Sequence, residues 1–362
     1  MTKKSILFVC PYPFDKAPSQ RLKFEQYYDY FKENDYVITH DSFQSIAMWN
    51  VVYKSGHIFL KFIHTVLGYL SRIWLLCRLP FYDVVYIHLW VTPFGPPFFE
   101  RLYRLFSRKI IYDIDDLVFM ENSSEANAWI AKLKGKNKPI FLMKNADAII
   151  TTTPYLVHFS QQYNQHVHAI PPSLDENIFF PFLNNEKVKL TIGWVGSHTT
   201  EAYLEIVRPA LESLAKELDY RMITMGAKNF RLKGVELINK EWNASQENEI
   251  LNEIDIAIYP LPEAIWSQGK FGGKLIQYFA AGLPCIASDV NESNRIVIKN
   301  SVNGILVKNS DDEWLLALRL LAANESLRRK IGEQARLDFM NKYSHKANEN
   351  KYLNILNAVT KN

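Results

Sequence analysis

Residues 260–289 read Pro-Leu-Pro-Glu-Ala-Ile-Trp-Ser-Gln-Gly-Lys-Phe-Gly-Gly-Lys-Leu-Ile-Gln-Tyr-Phe-Ala-Ala-Gly-Leu-Pro-Cys-Ile-Ala-Ser-Asp. The order is strand end, glycine-bearing loop, short helix, turn and buried strand, which is the grammar of an α/β fold. Gly269, Gly272 and Gly273 carry no Cβ, so the backbone there can turn sharply and admit a ligand closely. Leu275, Ile276, Phe279 and Ala280 repeat at helical spacing, and Gly282 with Pro284 behind it marks the helix stop. A helix start leaves N–H groups without acceptors, and Lys270 and Lys274 add two cations beside them. The guest that suits this chemistry is a phosphate. The plainer alternative is a loop and helix that only pack on a sheet, with the lysines in solvent.

Outward from this stretch, a chain of 362 residues exceeds the usual size of one core, so two domains are expected. A net charge of +4 is too small to argue for a nucleic-acid partner. Cys10, Cys77 and Cys285 lie far apart without ligand spacing and read as reduced core thiols. The apolar run at residues 6–10 is far shorter than a signal-peptide core, which makes a cytoplasmic enzyme the default.

In the first half, residues 6–10 suit a buried parallel strand that opens into a proline-rich loop before an aromatic helix. Ser19 is a plausible N-cap there, and Arg21, in the first turn, could meet a phosphate. Residues 58–79 form a long apolar helix, broken by Lys61, His64, Arg72 and Arg78 and too short in its uncharged part to span a bilayer. Its face of Phe59, Phe62, Leu67, Leu70, Trp74 and Leu75 is expected in the core, with contact to a membrane surface as the alternative. The lysines at 132, 134, 136 and 138 read as a solvated loop. A strand over 83–90 ends at His88, and the next, from Lys109, should expose Asp113, Asp115 and Asp116 at its carboxyl end, where ligands of open α/β sheets bind. An Asp-x-Asp can hold a divalent metal under a diphosphate, but so short a triplet is a weak signal. His166 and His168 share a strand face without a third ligand, so no metal site and no cofactor are expected.

A proline-rich linker from Pro171 closes this half, and a second alternation of strands and helices begins at Leu190. Gly196 and Ser197 follow its first strand and are placed to turn N–H groups toward a phosphate. The segment lacks the full Gly-x-Gly-x-x-Gly fingerprint, which argues against NAD. From Asp311 onward the pattern is helical. The expected domains are 1–180 and 187–342, followed by a tail over 343–362.

Trp266, Gly269, Lys270, Lys274, Gln277, Tyr278, Ala280, Gly282 and Pro284 resemble the donor-binding element of retaining GT-B glycosyltransferases of family 4, in the form found in bacterial polysaccharide clusters. The paired glutamates common in that family are absent: Gly269 and Gln277 stand in their places. The Gly-Trp-Val-Gly-Ser and Tyr-Asp-Ile-Asp-Asp runs are similar to the same subset, although the histidine common near Asp115 is missing. The resemblance implies two facing Rossmann-like domains with an interdomain cleft, acceptor side first and donor side second, and a C-terminal helix crossing back to the first domain. It implies transfer of a sugar from a UDP- or GDP-type donor to a glycan or lipid-linked acceptor, with retention and without metal. On this expectation Lys270, Lys274 and Asp115 carry the chemistry, and Gly196, Ser197, Gly272, Gly273 and Gln277 hold the donor. Ser19, Arg21, His88, Asp113 and Asp116 serve the acceptor or a phosphate, and the enzyme works in the cytoplasm or at the inner face of the membrane. The rival readings are an epimerase of the same architecture and a catalytically silent donor-binding subunit.

Overall fold

The computed structural model describes residues 3–52, 54, 56–115, 117, 137–182, 189–243 and 245–361. The chain divides into two compact units, Met1–Pro172 with Glu349–Asn362, and Ser173–Asn348. Residues 173–180, which the sequence gives to the first domain, therefore cluster with the second. The Phe180 N–H donates to Asn248 Oδ1 at 3.1 Å and the Phe182 N–H to Asn252 Oδ1 at 2.7 Å, so side chains of one helix satisfy the backbone of this segment.

The first unit holds six parallel strands: β1 (Lys4–Cys10), β2 (Tyr36–Ser42), β3 (Val84–His88), β4 (Ile110–Ile114), β5 (Ala148–Thr151) and β6 (Val167–Ala169). Their order is β2-β1-β3-β4-β5-β6. Every residue of β3, β4 and β5 is buried, which is why these strands read as apolar runs rather than alternating ones. Successive residues of β1 serve opposite faces. Phe8 packs with Phe24, Tyr27 and Tyr86 on one side, while Leu7 and Val9 join Val85, Ile87 and Tyr112 on the other. The tail segment adds Tyr352 to the first of these clusters, its ring 5.0 Å from Tyr27.

Several expectations for this unit are corrected. The helix Ile58–Leu76 turns its apolar side outward: Phe59 is 77% exposed, Phe62 63% and Trp74 62%, while Leu75 alone of the expected core face is buried. Beside Leu75, its inner side carries Gly68 and Arg72. Arg72, fully buried, pairs with Asp41 and donates to the Val91 and Cys10 carbonyls, and Gly68 lies so close to the Phe43 ring that a Cβ would stand 2.8 Å from it. Buried guanidinium donors need acceptors, and this face supplies them. Cys77, expected in the core, is exposed just past that helix. Lys138 is buried rather than solvated, donating to the Thr92 and Phe94 carbonyls, while positions 132, 134 and 136 lie outside the described residues. Ser19 is not a cap: Ala17 precedes the short helix Pro18–Arg21 and Pro18 fills its first turn.

The second unit has β7 (Thr191–Val195), β8 (Arg221–Met225), β9 (Glu236–Lys240), β10 (Ile256–Tyr259), β11 (Cys285–Ser288) and β12 (Ile305–Val307), all parallel. Their order, β12-β11-β10-β7-β8-β9, runs outward in both directions from the β7–β10 pair. Chain connections therefore leave that pair in opposite directions, and their carboxyl ends border a crevice where open α/β sheets bind ligands. Trp194, Leu211, Met222, Trp314 and Leu318 fill the core on one face. The helix Gly273–Ala280 is buried from Leu275 onward and ends at Gly282, whose φ of +68° suits glycine. A Cβ on Gly332 would stand 2.1 Å from the Gly282 carbonyl oxygen, so the helix Glu325–Lys342 packs directly against this turn.

One side chain ties the helix to the sheet. The buried Tyr278 hydroxyl accepts the Val195 N–H at 2.9 Å and donates to the Ile258 carbonyl at 3.2 Å, joining the ends of β7 and β10. Tyr278→Phe leaves a buried N–H without its acceptor and is expected to lower unfolding free energy by about 1–3 kcal/mol. An unchanged midpoint in urea denaturation would contradict this role.

Candidate functional site

The site in the second unit is built on the crevice at the ends of β7 and β10. The exit from β7 differs from expectation at Gly196. Its N–H donates to the Met225 carbonyl at 2.9 Å, because the β7–β8 ladder runs one residue further, and is committed to the sheet. The glycine is needed instead for packing: a Cβ there would stand 2.0 Å from the Trp194 ring, and one on Gly226 2.2 Å from the Gly196 carbonyl oxygen. Ser197 starts a turn in which its N–H donates to Thr200 Oγ1 at 3.2 Å, and its carbonyl accepts the Thr200 N–H at 2.9 Å.

The exit from β10 is fixed by a ring of polar contacts. The Leu261 N–H donates to Ser288 Oγ, Ser288 Oγ to Asn309 Oδ1, and Asn309 Nδ2 to the Leu261 carbonyl, at 2.9, 2.7 and 2.8 Å. Beyond it, Trp266 stacks on Tyr203 at 5.7 Å between centroids, and Gly269 is buried at the end of the turn Ile265–Gly269. Buried Asn291 holds the loop by donating to the Ser267 and Lys270 carbonyls at 2.7 and 3.1 Å. Gly272 then takes φ +77°, a left-handed conformation that a Cβ disfavours, and caps the helix Gly273–Ala280. The first-turn N–H groups of that helix, from Gly273 and Lys274, project from its positive end.

Lys274 is half-buried in this first turn. Its ammonium donates to Thr200 Oγ1 at 3.2 Å and lies 4.9 Å from the Trp194 ring centroid, which draws together the Gly196–Ser197 turn and the glycine loop. Burial, and then the charge of Lys270, lower its pKa from the usual lysine range to about 8. Such an ammonium keeps most of its charge at neutral pH and is poorly solvated, so an anion entering the crevice meets it at close to full strength.

Gln277 is one turn further along and buried. Its Nε2 donates to Glu247 Oε1 at 2.6 Å, and the Trp242 indole N–H donates to the same oxygen at 3.3 Å. Glu247 is a functional candidate that sequence reasoning missed, because it begins a short helix 30 positions away and belongs to no recognisable motif. Next to it opens a cleft of about 750 Å³ lined by Lys240, Trp242, Asn243, Gln246, Ile250 and Glu253. Gly273, Lys274 and Gln277 thus lie on one helix, Lys270 and Gly272 on the loop that enters it, and Ser197 on the turn after β7.

The candidates in the first unit fare differently. Asp113 is not exposed at its strand end: it is fully buried, pairs with Lys23, accepts the Tyr86 hydroxyl at 2.6 Å and lies 3.4 Å from His88 Nδ1. Burial by itself would raise its carboxyl, but the charges of Lys23 and then His88 outweigh that and hold it down at about 2. His88 is fully buried too, its ring 5.2 Å from Phe24, and presents no open surface to an acceptor. Asp115 is half-buried beyond β4, and Asp116 lies outside the described residues. Ser19 and Arg21 are half-buried on either side of Gln20, which anchors their loop by accepting the Tyr12 N–H at 3.0 Å and donating to Glu25 Oε1 at 2.7 Å. Among the described residues, no group of three or more His, Cys, Asp or Glu is arranged to hold a metal ion.

Residues 189–324, within the second unit, match the family model described as glycosyl transferases group 1. A search of curated proteins by sequence finds no match. Three solved structures are similar to nearly the whole chain. Sucrose-phosphate synthase from Thermosynechococcus elongatus superposes with a TM-score of 0.72 at 12% identity, over 98% of this chain and 99% of that one. A glycosyltransferase from Rickettsia africae ESF-5 gives 0.72 at 15% identity, over all of both chains. Anabaena Alr3699/HepE in complex with UDP and glucose gives 0.68 at 13%, over 98% and 100%. The fold is thus the α/β architecture of GT-B glycosyltransferases.

The burial of Asp113 makes it a structural charge. Asp113→Asn strands the Lys23 ammonium in the core and is expected to cost about 3–5 kcal/mol, with much of it regained in Lys23→Met/Asp113→Asn. In the unaltered chain the pair stabilises fully above the unfolded carboxyl pKa of about 4 and loses its contribution as pH falls through about 2. A stable Asp113→Asn protein in urea titrations would return this carboxyl to the list of reactive groups.

Proposed function

We propose that the protein transfers a sugar from a nucleoside diphosphate donor to a glycan or lipid-linked acceptor, with retention of configuration and without a divalent metal. The observation that carries the reading is Lys274: a poorly solvated ammonium in the first turn of a helix, behind a left-handed glycine, at the strand switch point of a glycosyl transferases group 1 domain. The Anabaena structure binds UDP, which supports a donor of this class. As the glycosidic bond breaks, charge builds on the leaving diphosphate. Lys274, Lys270 and the N–H groups of Gly273 and Lys274 are suited to receive it. The pair Gln277 and Glu247 offers an amide and a carboxylate to donor hydroxyls, so a carboxylate returns to the site from another helix although position 277 is glutamine. Asp115 is left as the candidate on the acceptor side. The setting is surface polysaccharide synthesis in the cytoplasm.

Lys274→Ala is expected to lower kcat/KM by more than about tenfold, since a charge-assisted phosphate contact is worth roughly 1.5–3 kcal/mol, while Lys216→Ala on the exposed surface changes little. Because the free ammonium loses its proton as pH rises through about 8, kcat/KM should decline above that value, and Lys274→Arg should carry the decline to higher pH. A profile that is flat to pH 9 in the unaltered enzyme would remove Lys274 from the donor site.

Metal independence is checked by assaying transfer after exhaustive EDTA treatment, with Asp115→Asn in parallel. Retained activity is expected. Loss on EDTA, recovery with manganese or magnesium, and inactivity of Asp115→Asn would place an Asp-bound metal under the diphosphate instead.

A further inference from the structure

We infer that the helix Ile58–Leu76 seats the first unit on an anionic lipid surface, lying along it rather than crossing it. By length and composition the helix is apolar enough to cross a membrane, yet only 17% of it is buried in the protein. Its exposed residues are not scattered: Phe59, Phe62, Val66, Leu70, Ile73 and Trp74 recur at spacings of three and four and line one side. Nineteen residues at 1.5 Å each make this a ridge about 28 Å long. An uninterrupted apolar ridge of that length exceeds what a soluble surface ordinarily leaves in water.

The opposite side rules out a spanning helix. Arg72 is held between Asp41 and two backbone carbonyls, and Gly68 lies flush on Phe43, so the inner side is docked on the unit and unavailable to lipid. One side in protein and one side apolar and open is the arrangement of a helix in the plane of an interface.

Charge selects lipid over a protein partner. No Asp or Glu occurs from Ser42 to Tyr82, whereas Lys54, Lys61 and Arg78 do, in addition to the buried Arg72 that Asp41 neutralises. Arg78 is exposed and its guanidinium lies 4.9 Å from the Trp74 ring centroid, an aromatic and a cation paired at the helix end as at a headgroup boundary. Just beyond, Phe81 is 77% exposed. Anionic headgroups attract such cations while the acyl boundary takes the aromatic ridge, and neither demands the matched grooves that a protein partner would need. The inference stands apart from the transfer reading, because vesicle binding is measured without donor or acceptor.

The test is sedimentation of the full chain with vesicles of phosphatidylcholine alone or mixed with phosphatidylglycerol. Binding is expected to the anionic vesicles, weakening at high salt. Phe62→Asn/Trp74→Asn should lose at least about tenfold in partition coefficient, since two large apolar side chains leave the acyl boundary. Because both side chains are exposed, thermal unfolding of the double variant should be unchanged. Lys61→Gln/Arg78→Gln should lose the preference for anionic vesicles. Absence of vesicle binding overturns the inference, as does equal binding by the double variant. A concentration-dependent dimer that Phe62→Asn/Trp74→Asn abolishes, seen without vesicle binding, would also overturn it and make a second copy the occupant.

Discussion

The Tyr278 hydroxyl sits between the last N–H of β7 and a carbonyl of β10, and the geometry of the second unit's candidate site depends on that contact. These two strands pair at the point where the sheet's order reverses, so no crossover connection covers their carboxyl ends. A helix held there by a buried hydroxyl cannot slide without leaving a backbone N–H unpaired. Its first turn therefore presents Gly273 and Lys274 at a fixed height above the sheet. The surrounding polar contacts serve the same end. Buried Asn291 holds the loop before the helix, and buried Ser288 with half-buried Asn309 holds the strand exit.

The first unit shows a different economy of charge. Arg72, Lys23 and Lys138, three long cations, are pulled inside against Asp41, Asp113 and Glu100. Removing each from water costs several kcal/mol, and the partner charges with further hydrogen bonds to carbonyls or hydroxyls offset it. What such pairs contribute is position. Arg72 fixes the rotation of the helix Ile58–Leu76, because turning it would strand a guanidinium among apolar side chains, and the apolar ridge must then face out.

Strands were legible because parallel sheets bury both faces, so residues 6–10 appear as an unbroken apolar run and 110–114 as one interrupted only by Asp113. The glycine loop was legible because a left-handed cap before a helix admits few residues besides glycine, and Gly272 is one. Other features were not. Periodicity divides the helix Ile58–Leu76 into two sides, but it does not say which faces the protein, and Asp41, which decides, lies on another element. Asp113 looked free at its strand end because its partner, Lys23, comes 90 residues earlier. Glu247 is invisible beside Gln277 for the same reason. Gly196 was assigned a ligand, whereas the sheet takes its N–H and the Trp194 ring needs its missing Cβ. Local pattern carries backbone conformation well and carries pairing between distant side chains poorly.

The position of Lys274 reconciles two opposed requirements. A lysine in open water would meet a diphosphate weakly, because solvent screens it, while a fully enclosed one would give up its proton. Here the ammonium is half-buried, with an aromatic face on one side and a hydroxyl acceptor on the other, both of which stabilise the charged form. Lys270 works against them, since a second ammonium nearby lowers the affinity for the proton. An anion held near both lysines would outweigh that repulsion. Two negative phosphates placed between the lysines would turn it into attraction to both, raising the Lys274 pKa on binding. On the proposed donor reading, the proximity of two like charges favours a diphosphate over neutral sugars of the same size.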